Sequence, residues 1–564
     1  MTGLRWLTAD TGLRSHAGGR VLTGGTPTRV VRLPERAAAL VAGWLAGRPV
    51  TGSAAHQRLT RRLVHAGLVH PRYVGGQSDA LDVTAVVPVR DHARPLAQLL
   101  PHLGGLAAVV IVDDGSAMPL SAATLRHERS RGPAAARNTG WRTVTTPFVA
   151  FLDADTVPEE GWLDSLLPHF DDPAVAAVAP RIRGAADYSP PHPSPTPHRS
   201  SLLGRSSLLG RSSLLGRSPL PGRSSLPGRS SLLGRSSLLG RYEEVRSPLD
   251  LGAAPARVTP GGRVSYVPTA ALVVRVSALR AHGGFDEDLR FGEDVDLIWR
   301  LAASGAEIRY EPSAVVRHLP RERWRDWARQ RFGYGTSTSA LARRHGRTVT
   351  PVRMPVTLAA SWTLMAAGLP VPGAVTAAAG AAGMVRRLHA RGVPVSASTA
   401  LAARAWADSA RLLGDAVTRS WWPVAVPILL TRRSGRILLA ACLARYAHQW
   451  HRERPGIDPV RWMALRLADD LAYGAGVWFA ALRDGDAGAL LPVLTRPAGN
   501  AGPDTEGDSV SGPVPPVVLD GRPEAGRRLG WRQGVAAVSR LSAKSRAGRS
   551  EIRSKSSTAP MKTV

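Results

Sequence analysis

Two short β-branched runs, Val83-Thr-Ala-Val-Val-Pro-Val89 and Ala107-Ala-Val-Val-Ile-Val112, flank a helical stretch from Arg94 to Leu103, and this spacing constrains the chain more than any other feature. Runs so continuously apolar belong to strands covered on both faces, and strands joined by a helix lie parallel in one sheet. Phe148-Val-Ala-Phe-Leu152 supplies a third strand after a helix that begins near Pro133. The pattern predicts an open, doubly wound α/β sheet with ligands gathered at the carboxyl ends of its strands.

A chain of 564 residues exceeds one ordinary core. Residues 1–75 read as a small winged-helix-like module with helices from Glu35 to Leu45 and from Ser53 to Ala66, closed by Gly67. Such modules bind DNA or hold a peptide, and a packing appendage fits equally well. Residues 80–340 form the α/β domain, 350–496 a helical, membrane-associated region, and 497–564 a disordered basic tail rich in Gly, Pro, Ser and Arg. Within the α/β domain, 189–241 is a low-complexity insertion built on the hexapeptide Gly-Arg-Ser-Ser-Leu-Leu, whose two adjacent leucines give too little apolar face for a solenoid.

Charge and apolar runs bound the partners. The net charge of +30 is spread unevenly, with Arg recurring every sixth residue from Arg199 to Arg241 and a basic tail, and most of the excess is assigned to solvated chain, with an anionic membrane surface ahead of nucleic acid as a binding partner. Met354 to Val385 carries no charged residue and is long enough to span a bilayer. Pro370, Pro372 and Gly373 at its middle leave a kinked span, a re-entrant hairpin and a buried Ala-rich helical pair all open. Trp421 and Trp422, with Arg432, Arg433 and Arg436, suit an interfacial segment. Cys442 is the only cysteine, which excludes a disulfide within the chain and fits a reducing compartment. Arg5, Asp10 and Arg14 interrupt any apolar leader, so the chemistry is expected on the cytoplasmic side of the cell membrane.

Carboxylates recur where the sheet would open. Asp113 and Asp114 end the second strand, where they can accept hydrogen bonds from a base imide or a ribose hydroxyl, although Asp-Gly after a strand is by itself a turn signal. Asp153 and Asp155 end the third; their hard oxygens suit Mg²⁺ or Mn²⁺, and His318, after the strand Ala314 to Arg317, could complete the protein ligands. Gly292-Glu293-Asp294-Val-Asp296 opens a helix with Leu297, Ile298 and Leu301 at helical spacing. Glu293 and Asp294 could simply cap it. Asp294, held ionised by the helix dipole, is the candidate general base, with Glu293 beside it.

Val86-Val-Pro-Val89, Val112-Asp-Asp-Gly-Ser116, Gly132-Pro-Ala-Ala-Ala-Arg-Asn138, Asp153-Ala-Asp155 and Gly292-Glu-Asp-Val-Asp296 together resemble the successive motifs of the family 2 glycosyltransferases, over about Leu81 to Tyr334. The resemblance implies the GT-A fold, a Rossmann-like mixed sheet. It also implies that Asp113, Asp114, Arg137 and Asn138 face the nucleotide, that Asp153 lies toward the ribose or diphosphate, that Asp155 binds the metal and that Asp294 is the base of an inverting transfer. The 1–75 module and Phe332-Gly-Tyr-Gly-Thr-Ser337 look more narrowly like the mycofactocin glycosyltransferases. That implies glucose transfer, with UDP-glucose as donor and a peptide-derived cofactor or its precursor as acceptor; Gln330, Arg331 and Tyr334 fall on the acceptor side. A polysaccharide or lipid-linked acceptor is the alternative. The Gln-x-x-Arg-Trp motif of processive synthases is absent, which puts long-chain processivity in doubt.

Overall fold

The computed structural model describes residues 5–51, 53–73, 76–184, 237–319 and 323–496. At the N-terminus, β1 (Arg5–Ala9) pairs antiparallel with β5 (Val69–Tyr73), and β2 (Arg14–His16), β3 (Val21–Gly24) and β4 (Arg29–Arg32) form a separate antiparallel sheet. Helices α1 (Glu35–Leu45) and α2 (Ala54–His65) turn Val41, Trp44, Leu63 and Val64 onto Leu22 and Leu68, giving the module its own small core. Both helices follow the sequence expectation; the five short strands are additional. The module docks through Arg5 on Asp172 (3.2 Å) and His65 on Glu307 (2.5 Å), at the amino ends of two strands of the main sheet.

That main sheet is built from β6 (Val83–Val89), β7 (Ala108–Asp113), β8 (Leu125–Arg126), β9 (Phe148–Leu152), β10 (Thr156–Pro158), β11 (Val175–Gly184), β12 (Ala256–Arg257), β13 (Ala271–Arg275) and β14 (Glu307–His318). Its order is β10-β14-β11-β13-β9-β6-β7-β8, with β12 on β14. The β6, β7 and β9 trio is parallel as the spacing predicts; β13 runs antiparallel to both β9 and β11, so the sheet is mixed rather than purely doubly wound. Helices α3 (Ala93–Leu99), α4 (Pro133–Trp141), α6 (Val276–His282) and α7 (Glu293–Ala303) accompany it, and α5 (Leu238–Arg246) crosses the carboxyl end of β11. Val86, Val149, Phe151, Leu272 and Val274 are fully buried on one face. Side chains of this type contribute about 1.5–3 kcal/mol each on burial. A Cβ on Gly140 would stand 2.4 Å from Val86 Cγ1, so the bare backbone there lets α4 lie directly on β6.

Most of the hexapeptide insertion lies outside the described residues. Its last copy does not remain loop: Ser237 accepts the Gly240 amide (3.0 Å) and starts α5, because Leu239 and Tyr242 bury against Trp327 and Trp462. The tail, 497–564, also lies outside the described residues.

Beyond the sheet come α8 (Trp324–His345), α9 (Val356–Ala366), α10 (Pro370–Ala390), α11 (Val395–Asp415), α12 (Trp422–Leu430), α13 (Arg433–Glu453) and α14 (Pro459–Asp484), with β15 (Arg353–Pro355) pairing parallel to β16 (Val493–Thr495). The uncharged stretch becomes the α9 and α10 pair, broken at Gly368 and restarted by Pro370 at the first turn, where a missing N–H costs nothing. The pair is packed through Gly373 against Ser361 but is not buried: Val356, Leu369, Val371 and Val375 are exposed. Among the described residues no helix is long and apolar enough to cross a membrane.

Candidate active site

The carboxyl ends of β6, β7 and β9 open onto a crevice closed from the far side by α7. Arg137, projecting from α4 and only 4% exposed, joins the two sides: its Nη2 donates to Asp153 Oδ1 (2.8 Å) and its Nη1 to Glu293 Oε1 (2.8 Å). The Asp153 and Glu293 motifs, 140 residues apart, therefore meet on one guanidinium. Charge-assisted bonds of this length at a buried site hold geometry tightly.

Asp294 is the next residue and is half-buried, its Oδ1 accepting only the neighbouring Val295 amide (2.8 Å). Gly292 has a positive φ (82°), and a Cβ there would sit 2.9 Å from Ser337 Cβ of α8, so glycine is required at the turn that aims the following carboxylates. Burial, reinforced by the Glu293 charge, pushes the Asp294 carboxyl up to about 7. This corrects the expectation of a carboxylate kept ionised by the helix dipole: desolvation outweighs it. The N-cap of α7 is Gly292, and Asp294 Oδ1 takes up the Val295 amide of the first turn, so part of its capping role is present.

The two aspartates that end β7 are taken up by the chain itself. Asp113 accepts the Ser116 and Leu120 amides and pairs with Arg126. Asp114 accepts from His127 Nδ1 (2.8 Å), Ser130 Oγ (2.7 Å) and the Arg131 and Gly132 amides. They shape the loop that leads into α4. Asn138 is likewise engaged, its amide bridging the Phe285 backbone and Glu287. It fastens the segment before α7 to α4, and in this structure it is committed to the protein rather than turned to a nucleotide.

Asp155 and His318 come together across the β10–β14 pairing, with Oδ1 and Nε2 3.5 Å apart. Among the described residues no group of three His, Cys, Asp or Glu side chains is gathered tightly enough to hold a metal by itself. One hard carboxylate oxygen and one imidazole do fit a small divalent cation that takes its remaining oxygens from substrate and water.

The acceptor assignment divides. Tyr334 is half-buried, bonded by Gln330 Nε2 (2.9 Å) and edge-on to Phe291 (6.5 Å), beside the turn before Asp294. Arg331 does not line the crevice. It is 1% exposed, paired with Glu243 of α5 and with Asp469 of α14 (2.9 Å), and bonded to Gln330 Oε1. Glu243 was not anticipated from the sequence; the only signal was the change of composition where the repeat gives way to Tyr242-Glu-Glu.

Residues 86–214 match the model of Glycosyl transferase family 2, and residues 238–430 that of Glycosyl transferase family group 2. The chain is 37% identical over 506 residues to the pre-mycofactocin glycosyltransferases of Mycobacterium tuberculosis strains CDC 1551 / Oshkosh and ATCC 25618 / H37Rv, covering 86% of this chain and 97% of each relative. Among solved structures, a Pyrobaculum calidifontis mannosyltransferase in complex with GDP-Man and Mn²⁺ is similar over 58% of this chain and 88% of its own, at 18% identity and a TM-score of 0.32.

Proposed function

The chain belongs to glycosyl transferase family 2, and from that premise we propose that it transfers a hexose, with inversion, from a nucleoside diphosphate to the precursor of the peptide-derived cofactor mycofactocin. Glucose from UDP-glucose is the donor we assign. The acceptor rests on the name of the Mycobacterium tuberculosis relatives. One observation carries the chemistry: Arg137 ties Asp153 to Glu293, which brings Asp294 to the crevice where the sheet opens.

In this reading Asp294 takes the proton of the acceptor hydroxyl, whose oxygen bonds to the anomeric carbon as the bond to the diphosphate breaks and its electron pair leaves with the nucleoside diphosphate. A carboxyl near 7 suits the task, since a base works best when its pKa lies near the operating pH. Glu293 and Asp153, held by Arg137, position Asp294 and the donor. Asp155 and His318 would hold Mg²⁺ or Mn²⁺, which when bound offsets the charge of the departing diphosphate. The inverting geometry needs a base on the face opposite the leaving group.

Incubating the enzyme with UDP- and GDP-sugars and pre-mycofactocin, and reading the product by mass, tests this. One added hexose per turnover, lost in Asp294→Asn, is the expected result; no transfer from any donor would end the reading. A second acceptor class, a lipid-linked sugar or envelope polysaccharide, is favoured by one observation: Ile428, Leu430 and Ile437 stand exposed near Arg432, Arg433 and Arg436. The same features favour a peripheral position on a membrane, which we assign to the cytoplasmic face of the cell membrane. Lipid acceptors in the same assay separate the two classes.

A further inference from the structure

The motif Phe332-Gly-Tyr-Gly has so far no function, and its glycines explain where the helical region stands. Gly333 meets the Phe291 ring, which a Cβ would approach to 2.5 Å. Two residues on, Gly335 meets the backbone of α14, where a Cβ would lie 2.1 Å from the Tyr473 carbonyl oxygen. From α14, Gly476 answers against the Phe332 carbonyl oxygen (2.0 Å) and Gly474 against that of Arg419 (1.9 Å). Backbone touches backbone between α8 and α14, and the Phe291 ring packs on the other side, so α8 is clasped between the turn before Asp294 and the C-terminal helices.

The clasp brings particular side chains to the crevice. Arg419 lies over the Tyr473 ring (3.8 Å to its centroid) and is held by Asp470 (3.1 Å). Tyr266 stands on a loop fastened to α7 by the Trp299 indole on the Ser265 carbonyl (2.7 Å). Tyr266 is close enough to interact electrostatically with Asp294, Tyr473 and Arg419 together. Tyr266, Tyr334, Tyr473 and Asp294 are all half-buried, and Arg419 keeps 36% of its side-chain surface, so solvent reaches the group although protein crowds each member. Half-exposed rings around a carboxylate form the wall of a cleft rather than core. Burial and the Asp294 charge push the Tyr266 phenol up to about 12, which keeps it a neutral hydrogen-bond donor.

We propose that Tyr266, Tyr334 and Tyr473, with Arg419, form an acceptor subsite completed by the C-terminal helices, which selects an acceptor presenting a ring with an apolar face, aromatic or pyranose, whose hydroxyl is delivered to Asp294. The proposal rests on the glycosyl-transfer reading above. Aromatic faces grip such rings by stacking while phenol and guanidinium donors bind the hydroxyl edge.

The test compares acceptors in the full-length enzyme with UDP-glucose as donor: pre-mycofactocin, 4-nitrophenyl β-D-glucopyranoside, and glycerol as a ringless polyol. Tyr473→Ala and Tyr266→Leu are each expected to raise KM for the two ring acceptors about tenfold, the loss of one good aromatic contact. KM for UDP-glucose and its slow hydrolysis without acceptor should stay within about twofold, and Tyr473→Phe should keep the ring KM near wild type. Unchanged ring KM in both truncations, or an equal rise in donor KM, overturns the subsite. If Tyr473→Ala fails to fold, Tyr266→Leu alone decides. Absence of transfer by the wild type, by contrast, rejects the function and not this wall.

Discussion

Asp294 carries the most exposed set of consequences at the scale of single residues. Its carboxyl, raised to about 7, must be ionised to act as base, so kcat/KM should climb through an apparent pKa near 7 and level off above it. A profile flat from pH 5.5 to 8.5 would remove Asp294 from that role. The same shift sets a stability sign. Between the ordinary carboxyl value of 3.8 and about 7 the folded state holds a proton that the unfolded chain has released, so stability falls as pH rises through that window. Asp294→Asn should therefore melt higher than wild type at pH 8, and the difference should fade toward pH 4, while transfer drops by about 10²–10⁴. For Asp155 and His318 the readout is the cation: a chelator should abolish transfer, Mn²⁺ or Mg²⁺ should restore it, and Asp155→Asn should demand far more metal for half-maximal rate. Full activity in the chelator would refute the pair as ligands. The positions of Asp153 and Asp155 after β9, of Asp294 in the first turn of α7 and of His318 at the end of β14 were legible, because apolar runs fix where a strand ends and a helix opens. The bonds that Asp113 and Asp114 make with the loop after them, as short polar side chains beside a turn do, and those that Asn138 makes from within α4 to Phe285 and Glu287 were not legible.

At the level of elements, α5, α8 and α14 are locked by buried charge. Arg331 faces Glu243 and Asp469, Tyr242 adds its hydroxyl to Asp469 (2.8 Å), and the Trp327 indole adds to Glu243 (2.8 Å). Arg331→Met would leave Glu243 in the core without its guanidinium and Asp469 with Arg466 alone (3.6 Å), and breaking a buried pair in this way costs about 3–5 kcal/mol. A melting temperature within a degree of wild type would show that the pair contributes nothing. Burial raises the Glu243 carboxyl, so protonation of this residue is the route by which such a variant could relieve the charge. The strands Val83–Val89 and Phe148–Leu152 and the start of α4 at Pro133 were read at their observed limits, because apolar runs and an N-terminal proline are local signals. The antiparallel β13, the five strands of the N-terminal module and the α5 cap at Ser237 were not. Their stability comes from partners far along the chain, and Ser237-Leu-Leu is the same text as the repeats before it until Tyr242 and Trp327 give it something to cover.

For the molecule as a whole, the N-terminal module sits at the amino ends of β11 and β14 and the crevice at the carboxyl ends of β6, β7 and β9, so the module touches none of the site residues described above. The module also meets the loop before β13, where Arg263 pairs with Asp10 (3.6 Å), and the turn between α10 and α11, where Arg32 donates to the Arg391 carbonyl (2.8 Å) and Val21 packs on Leu388 and Val393. Packing appendage is the reading these contacts favour. On the helical side, the exposed Val371, Val375, Val424, Ile428 and Ile437 are expected to draw the protein to lipid. Full-length protein should sediment with vesicles containing one-third anionic lipid, Ile428→Asp and Ile437→Asp together should release it, and high salt should weaken the binding only in part because the apolar contribution is unscreened. Equal sedimentation of wild type and the double variant would dismiss this face as the contact.

The glycine clasp on α8 has one more implication. Contact between the bare backbones of α8 and α14 leaves no rotamer to adjust there, and the Phe291 ring and the Ser337 side chain pack α8 onto the turn that carries the base, so the helical layer moves with that turn. Recognition and reactivity are thereby mechanically geared: exchanging α8 to α14 as a block with those of a relative should carry over that relative's taste in acceptors, whereas exchanging α14 by itself should strip the gear and silence the enzyme.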